Sequence, residues 1–119
     1  MNIHEIAKKL IELCRKSEFE TAQKLLFAND AVSMEPHTNP GFDKETKGLD
    51  AIIEKSRKWD FMVKDIHAIT VSDPIVADQS FACSMRFNVI MKDGNHWDMT
   101  ELCVYRVKNN KIISEEFFM

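Results

Sequence analysis

Between Ser80 and Lys92 the side chains alternate without a break, with Phe81, Cys83, Met85, Phe87, Val89 and Met91 at the odd positions and Ser80, Ala82, Ser84, Arg86, Asn88, Ile90 and Lys92 at the even ones. A period of two sends these sets to opposite faces of a strand, and the odd, apolar set must be covered by something. The next apolar run, 96 to 107, is joined to it by a turn whose length decides which residues share that face. A two-residue Asp93-Gly94 turn would turn Asp98, Thr100 and Arg106 inward. A three-residue loop, Asp93 to Asn95, turns Trp97, Met99, Glu101, Cys103 and Tyr105 inward, and this far more apolar set selects the longer loop. Glu101 then lies opposite Phe87, in a setting where an unpaired charge is costly. An Asn109-Asn110 turn brings Glu116 opposite Cys103, and a bulge in that hairpin would substitute Glu115.

The cover comes from the first half of the chain. Ile3, Ile6, Ala7, Leu10, Leu13 and Cys14 recur at helical spacing, and Asn2 with Glu5 forms a capping-box pattern. Ser17 and Glu20 repeat that pattern ahead of Phe19, Ala22, Leu25 and Leu26, so two short helices meet near Lys16. The strand-like AVSME follows, and then PHTNPGFDKETK, whose prolines and glycine argue against regular structure. Gly48 opens a third helix with Leu49, Ile52, Ile53 and Trp59 facing inward; strands are expected at 62–73, 75–77, 80–92, 96–107 and 111–118. Helices first and hairpin-linked strands after make an α+β fold: three N-terminal helices packed on the concave face of a curved, mostly antiparallel sheet. A chain of 119 residues with 45% hydrophobic content is enough for one such domain, spanning 1–119, and too short for two.

Composition excludes several functions. The net charge is −3 and the basic residues are dispersed, which argues against nucleic acid as a partner. Cys14, Cys83 and Cys103 are odd in number and lack C-x-x-C spacing, as expected of free thiols in a reducing, cytoplasmic compartment. The opening MNIHEIAKKL reads as neither a signal peptide nor a membrane span. The histidine spacing offers no metal cage, and no cofactor motif is present.

In DAVSMEP, Glu35 closes a short apolar run just before Pro36. Together with "FANDAVSMEP", the "TKGLDAI" that opens the third helix and "MTELCVYRVKNNKIISEEFF" make the chain resemble the SnoaL-like members of the nuclear transport factor two-like superfamily, over nearly its whole length. That resemblance implies a cone-shaped domain, often dimeric, with a pocket between helices and sheet. The steroid isomerases of the superfamily carry a catalytic aspartate before a proline at the end of the first strand, and Glu35 matches that position, at the pocket mouth. Leu10 and Cys103 stand where such isomerases carry a tyrosine and a second, protonated aspartate.

The expected pocket takes a small, largely apolar molecule. Glu35 and Glu101 are its candidate general base and acid, since carboxyls sharing an apolar site are driven to different protonation states. Trp59, His67, Met85, Phe87, Met99, Cys103, Tyr105 and Glu116 are expected to line it, with His37 as a further candidate. The other reading is a non-catalytic ligand carrier or dimerisation module with its carboxylates paired. A homodimer is expected through the outer sheet face, which carries Ala82, Ser84, Ile90, Leu102, Val104 and Phe118.

Overall fold

A computed structural model describes residues 1–37 and 42–119. The elements run α1 (Ile3–Arg15), α2 (Phe19–Leu26), β1 (Phe27–Met34), β2 (Glu45–Lys47), α3 (Leu49–Met62), β3 (Val63–Val71), β4 (Ile75–Val76), β5 (Ser80–Met91), β6 (His96–Lys108) and β7 (Lys111–Phe118). The strands form one sheet in the order β2-β1-β7-β6-β5-β3, with β4 added on β5. Every pairing is antiparallel except β1 with β7. The three helices supply the apolar stripes Ile6, Leu10, Leu13, Leu26 and Ile52, which bury against Phe81, Val89 and Ile112 from the sheet. Each such side chain contributes roughly 1.5–3 kcal/mol by leaving water. The α+β architecture is therefore the one expected.

Local details depart from expectation in ways that matter later. At α1 the Asn2 and Glu5 capping box forms, with reciprocal bonds of 3.0 and 2.9 Å. Ser17 does not cap α2. It takes a left-handed φ of 60°, its N–H reaches the Cys14 carbonyl, and the Glu18 N–H reaches Leu13, which together close α1 in a Schellman motif. Its partner in the expected box, Glu20, instead grips Arg57 of α3 at 2.6 Å. Part of the stretch expected to lack regular structure forms β2, pairing Val32 with Lys47 and Met34 with Glu45, and residues 38–41 of that stretch lie outside the described residues.

The β5–β6 hairpin keeps the expected faces but slides by two residues. Its loop is Lys92–Gly94, closed by the Met91 N–H on the Asn95 carbonyl, with Gly94 at φ 90°. Glu101 accordingly pairs with Met85, while Phe87 pairs with Met99. Face assignment survives because a slip of two preserves parity. In β7 the Asn109-Asn110 turn forms with both φ values positive, 52° and 60°, and the register then shifts between Val107 and Arg106. That bulge turns Glu115 inward opposite Tyr105 and places Glu116 opposite Val104 on the outer face, so Glu116 is not a pocket residue. No helix among the described residues is long and apolar enough to cross a membrane.

Candidate functional site

The inner face of β6 is covered less completely than that of β5. Met85 and Phe87 are buried, whereas Met99 and Glu101 beside them are half-buried and Trp97 keeps 38% of its surface exposed. This leaves a partly covered strip of the inner face along β6, beside α3. Its apolar wall runs from Met85 and Met99 through Phe87 to Trp59 of α3, whose ring lies 6.3 Å from that of Phe87 and 5.6 Å from that of Trp97. At its base sits a polar network that no single element could assemble.

Lys55 of α3 is the centre of that network. Its Nζ donates to Ser33 Oγ at 2.6 Å and to Glu35 Oε1 at 3.1 Å, and it stands 5.8 Å from the Phe117 ring centre. Ser33 Oγ in turn donates to Glu115 Oε1 at 2.8 Å. Glu115 is only 5% exposed; burial raises its carboxyl, against the opposing pull of Lys55 and Ser33. The Ser33 hydroxyl thus serves as donor to the carboxylate and acceptor for the ammonium, which leaves neither charge stranded.

Glu101 shares the site with a different set of partners. Burial first, then the nearby Glu35 and Glu115 carboxyls, push it up to about 7, with Lys55 pulling the other way. The Cys103 thiol donates to its Oε1 at a long 4.0 Å. Cys103 faces Cys83 directly across the strand pair; the Cys83 thiol and burial drive its own ionisation well up, so it is an inert thiol. Tyr105 is fully buried and stacked on Phe81 at 4.9 Å, and burial raises its hydroxyl too; it belongs to the packed core beneath this strip.

Of the residues expected here, Glu35, Glu101, Trp59, Met85, Phe87, Met99, Cys103 and Tyr105 lie on or beneath this inner surface. His67 does not: it is the extra residue of a bulge in β3 and is exposed, with its ring 6.0 Å from that of His96. His37 is exposed as well. Lys55 and Ser33 complete the site beyond that expectation, and Glu115 joins it in place of Glu116 through the bulge that was the alternative for that hairpin. Lys55 sits three residues after buried Ile52 and four before Trp59, on the inward stripe of α3, and that spacing was the signal for it.

Three helices packed on one face of a curved sheet are the architecture of nuclear transport factor two-like, or cystatin-like, folds. A sequence model of the SnoaL-like domain matches residues 1–119, and the chain belongs to that family. A crystal structure from Mesorhizobium loti, described as a candidate SnoaL-like polyketide cyclase and carbohydrate phosphatase, is similar over 100% of both chains at 32% identity with a TM-score of 0.91. A cystatin-like fold protein of unknown function from Xanthomonas campestris aligns over 99% of this chain and 90% of its own at 18% identity, TM-score 0.84. A ketosteroid isomerase-like fold protein from Catenulispora acidiphila, in complex with trimethylamine, aligns over 97% and 85% at 14% identity, TM-score 0.74. Comparison with curated proteins finds no match.

Proposed function

We propose that the inner surface between α3 and β6 forms a groove that binds a small, largely apolar molecule and moves a proton on it, in the manner of an isomerase, cyclase or hydratase. One observation carries this reading: two carboxyls of the same inner surface are held in contrasting environments. Glu35 is clamped by the Lys55 ammonium at 3.1 Å, while Glu101 faces a thiol and an apolar wall. A carboxylate paired with a cation and a second carboxyl raised by burial are suited to act as a base and acid pair. Lys55, already oriented by Ser33, would also stabilise negative charge developing on a ligand oxygen beside it. The Mesorhizobium loti relative, described as a candidate cyclase, supports chemistry of this type.

The test is a thermal-shift screen of the wild type against uncharged carbonyl and enol compounds, repeated on Glu35→Gln and Glu101→Gln. Compounds that raise the melting temperature of the wild type and lose that effect in both variants are then followed by solvent deuterium exchange, which reads proton transfer directly. Exchange that persists undiminished in Glu101→Gln removes the assignment of the acid.

A second reading has its own observation. Two clefts of about 520 and 530 Å³ lie beside α3, lined by Phe42, Ala51, Lys55 and Phe61, and beside α1, lined by Ile11, Arg15 and Pro74; neither is lined by Glu35 or Glu101. Cys83, Cys103 and Tyr105 are buried in the packed core. On this reading the domain is a non-catalytic ligand carrier or dimerisation module, and its outer sheet face pairs two copies. Ligand-induced shifts unaffected by either glutamine variant support it.

A further inference from the structure

The polar groups of the groove do not balance. Three carboxyls, Glu35 from β1, Glu101 from β6 and Glu115 from β7, surround the single ammonium of Lys55. That ammonium is already committed, to Glu35 and to the Ser33 hydroxyl. Glu115 is committed to the same hydroxyl. Glu101 is left with the Cys103 thiol at 4.0 Å, a weak donor at long range. Next to it the inner face continues for about 14 Å of strand, the four-residue step from Glu101 to Trp97. Over that length the available surface is thioether and aromatic, Met99 with the Trp59 and Trp97 pair, backed by buried Met85 and Phe87.

A carboxylate at one end of an aromatic wall satisfies two demands of an organic cation at once, a counter-charge and π-faces for its N-substituents or its apolar body. Among the described residues, an anionic ligand would meet three carboxyls and one ammonium already shared between Glu35 and Ser33. Resting on the reading of the groove as a ligand site, we infer that its ligand is a small amine in its ammonium form with an apolar, preferably aromatic, body, seated with nitrogen at Glu101 and body along Met99 and the tryptophan pair. The same arrangement disfavours carboxylic acids and phosphates.

The chain has two tryptophans, and both stand on this wall, so intrinsic fluorescence reports occupancy without a label. The probes are 2-phenylethylammonium, 2-phenylethanol and phenylacetate, which share a body and differ in charge, titrated at pH 8. The expected result is an ammonium affinity about tenfold above those of the alcohol and the acid. Glu101→Gln, which keeps the side-chain volume, should abolish that advantage. Equal affinity for all three probes overturns the ligand class while leaving the groove as a ligand site; no fluorescence response to any probe overturns both. An ammonium preference that survives in Glu101→Gln also overturns the assignment. If Glu101→Gln does not fold, Trp97→Leu at the exposed rim serves in its place: loss of the ammonium advantage supports the inference, and its full retention overturns it.

Discussion

At the scale of single residues, Glu101 carries the clearest consequence. Burial and two neighbouring carboxyls raise it from 4.5 to about 7. Below pH 4.5 it is protonated whether the chain is folded or not and has no effect on stability. As pH rises from there to about 7, only the folded state holds the proton, so stability is progressively lost, by about 1–3 kcal/mol in total. Glu101→Gln should therefore be more stable than wild type by that amount at pH 8 and no more stable at pH 4, as measured by urea titration at the two values. Ser17 gives a second expectation. Its left-handed φ of 60° closes α1 where glycine has no steric penalty, so Ser17→Gly should raise stability by about 0.5–1 kcal/mol. A lower urea midpoint for Ser17→Gly would mean that the chain freedom added by glycine outweighs the relief of strain.

At the scale of elements, the site is a meeting of β1, α3, β6 and β7, and its cohesion depends on α3. Lys55→Met removes the one cation from three carboxyls and leaves Ser33 without its charged donor. Because Lys55 and Glu35 retain some exposure, the cost expected is about 2 kcal/mol at pH 7 by urea titration. An equal loss in Lys55→Arg, which keeps the charge, would point to packing of the lysine stem as the cause. The elements themselves were legible because alternation and helical spacing are strong over 80–92 and 3–16, and they report directly which face is apolar. Register was less so. Nothing in KDGN states whether Lys92 or Asn95 belongs to the loop, and the bulge that exchanges Glu116 for Glu115 follows from backbone twist, which residue types do not report. Of the site, Glu35 and Glu101 were visible as carboxyls out of place in apolar runs, whereas Lys55, in a helix with several other charged residues, stood out only by its position on the apolar stripe.

At the scale of the whole molecule, the outer sheet face carries Leu102 and Phe118 at 47% and 45% exposure, next to Ala82 and Val104 and across from the Arg86–Asp98 pair. Surfaces of this kind are what copies of one chain bury against each other. Multi-angle light scattering should return twice the 13.8 kDa chain mass, and Leu102→Lys should return the single mass. A wild-type monomer at high concentration would remove the dimer from the proposal.

The one parallel pairing, β1 on β7, ties Ser33 to Glu115 across 82 positions of sequence. During synthesis, α1, α2 and β1 leave the ribosome long before their sheet partner is made. Until β7 emerges, β1 has an unpaired edge, and Lys55 and Ser33 face a gap where Glu115 will stand. The nascent chain must therefore hold its most polar interior surface open to water or to a chaperone until nearly all of the domain has been translated, and this polar network is finished as one of the final events of folding.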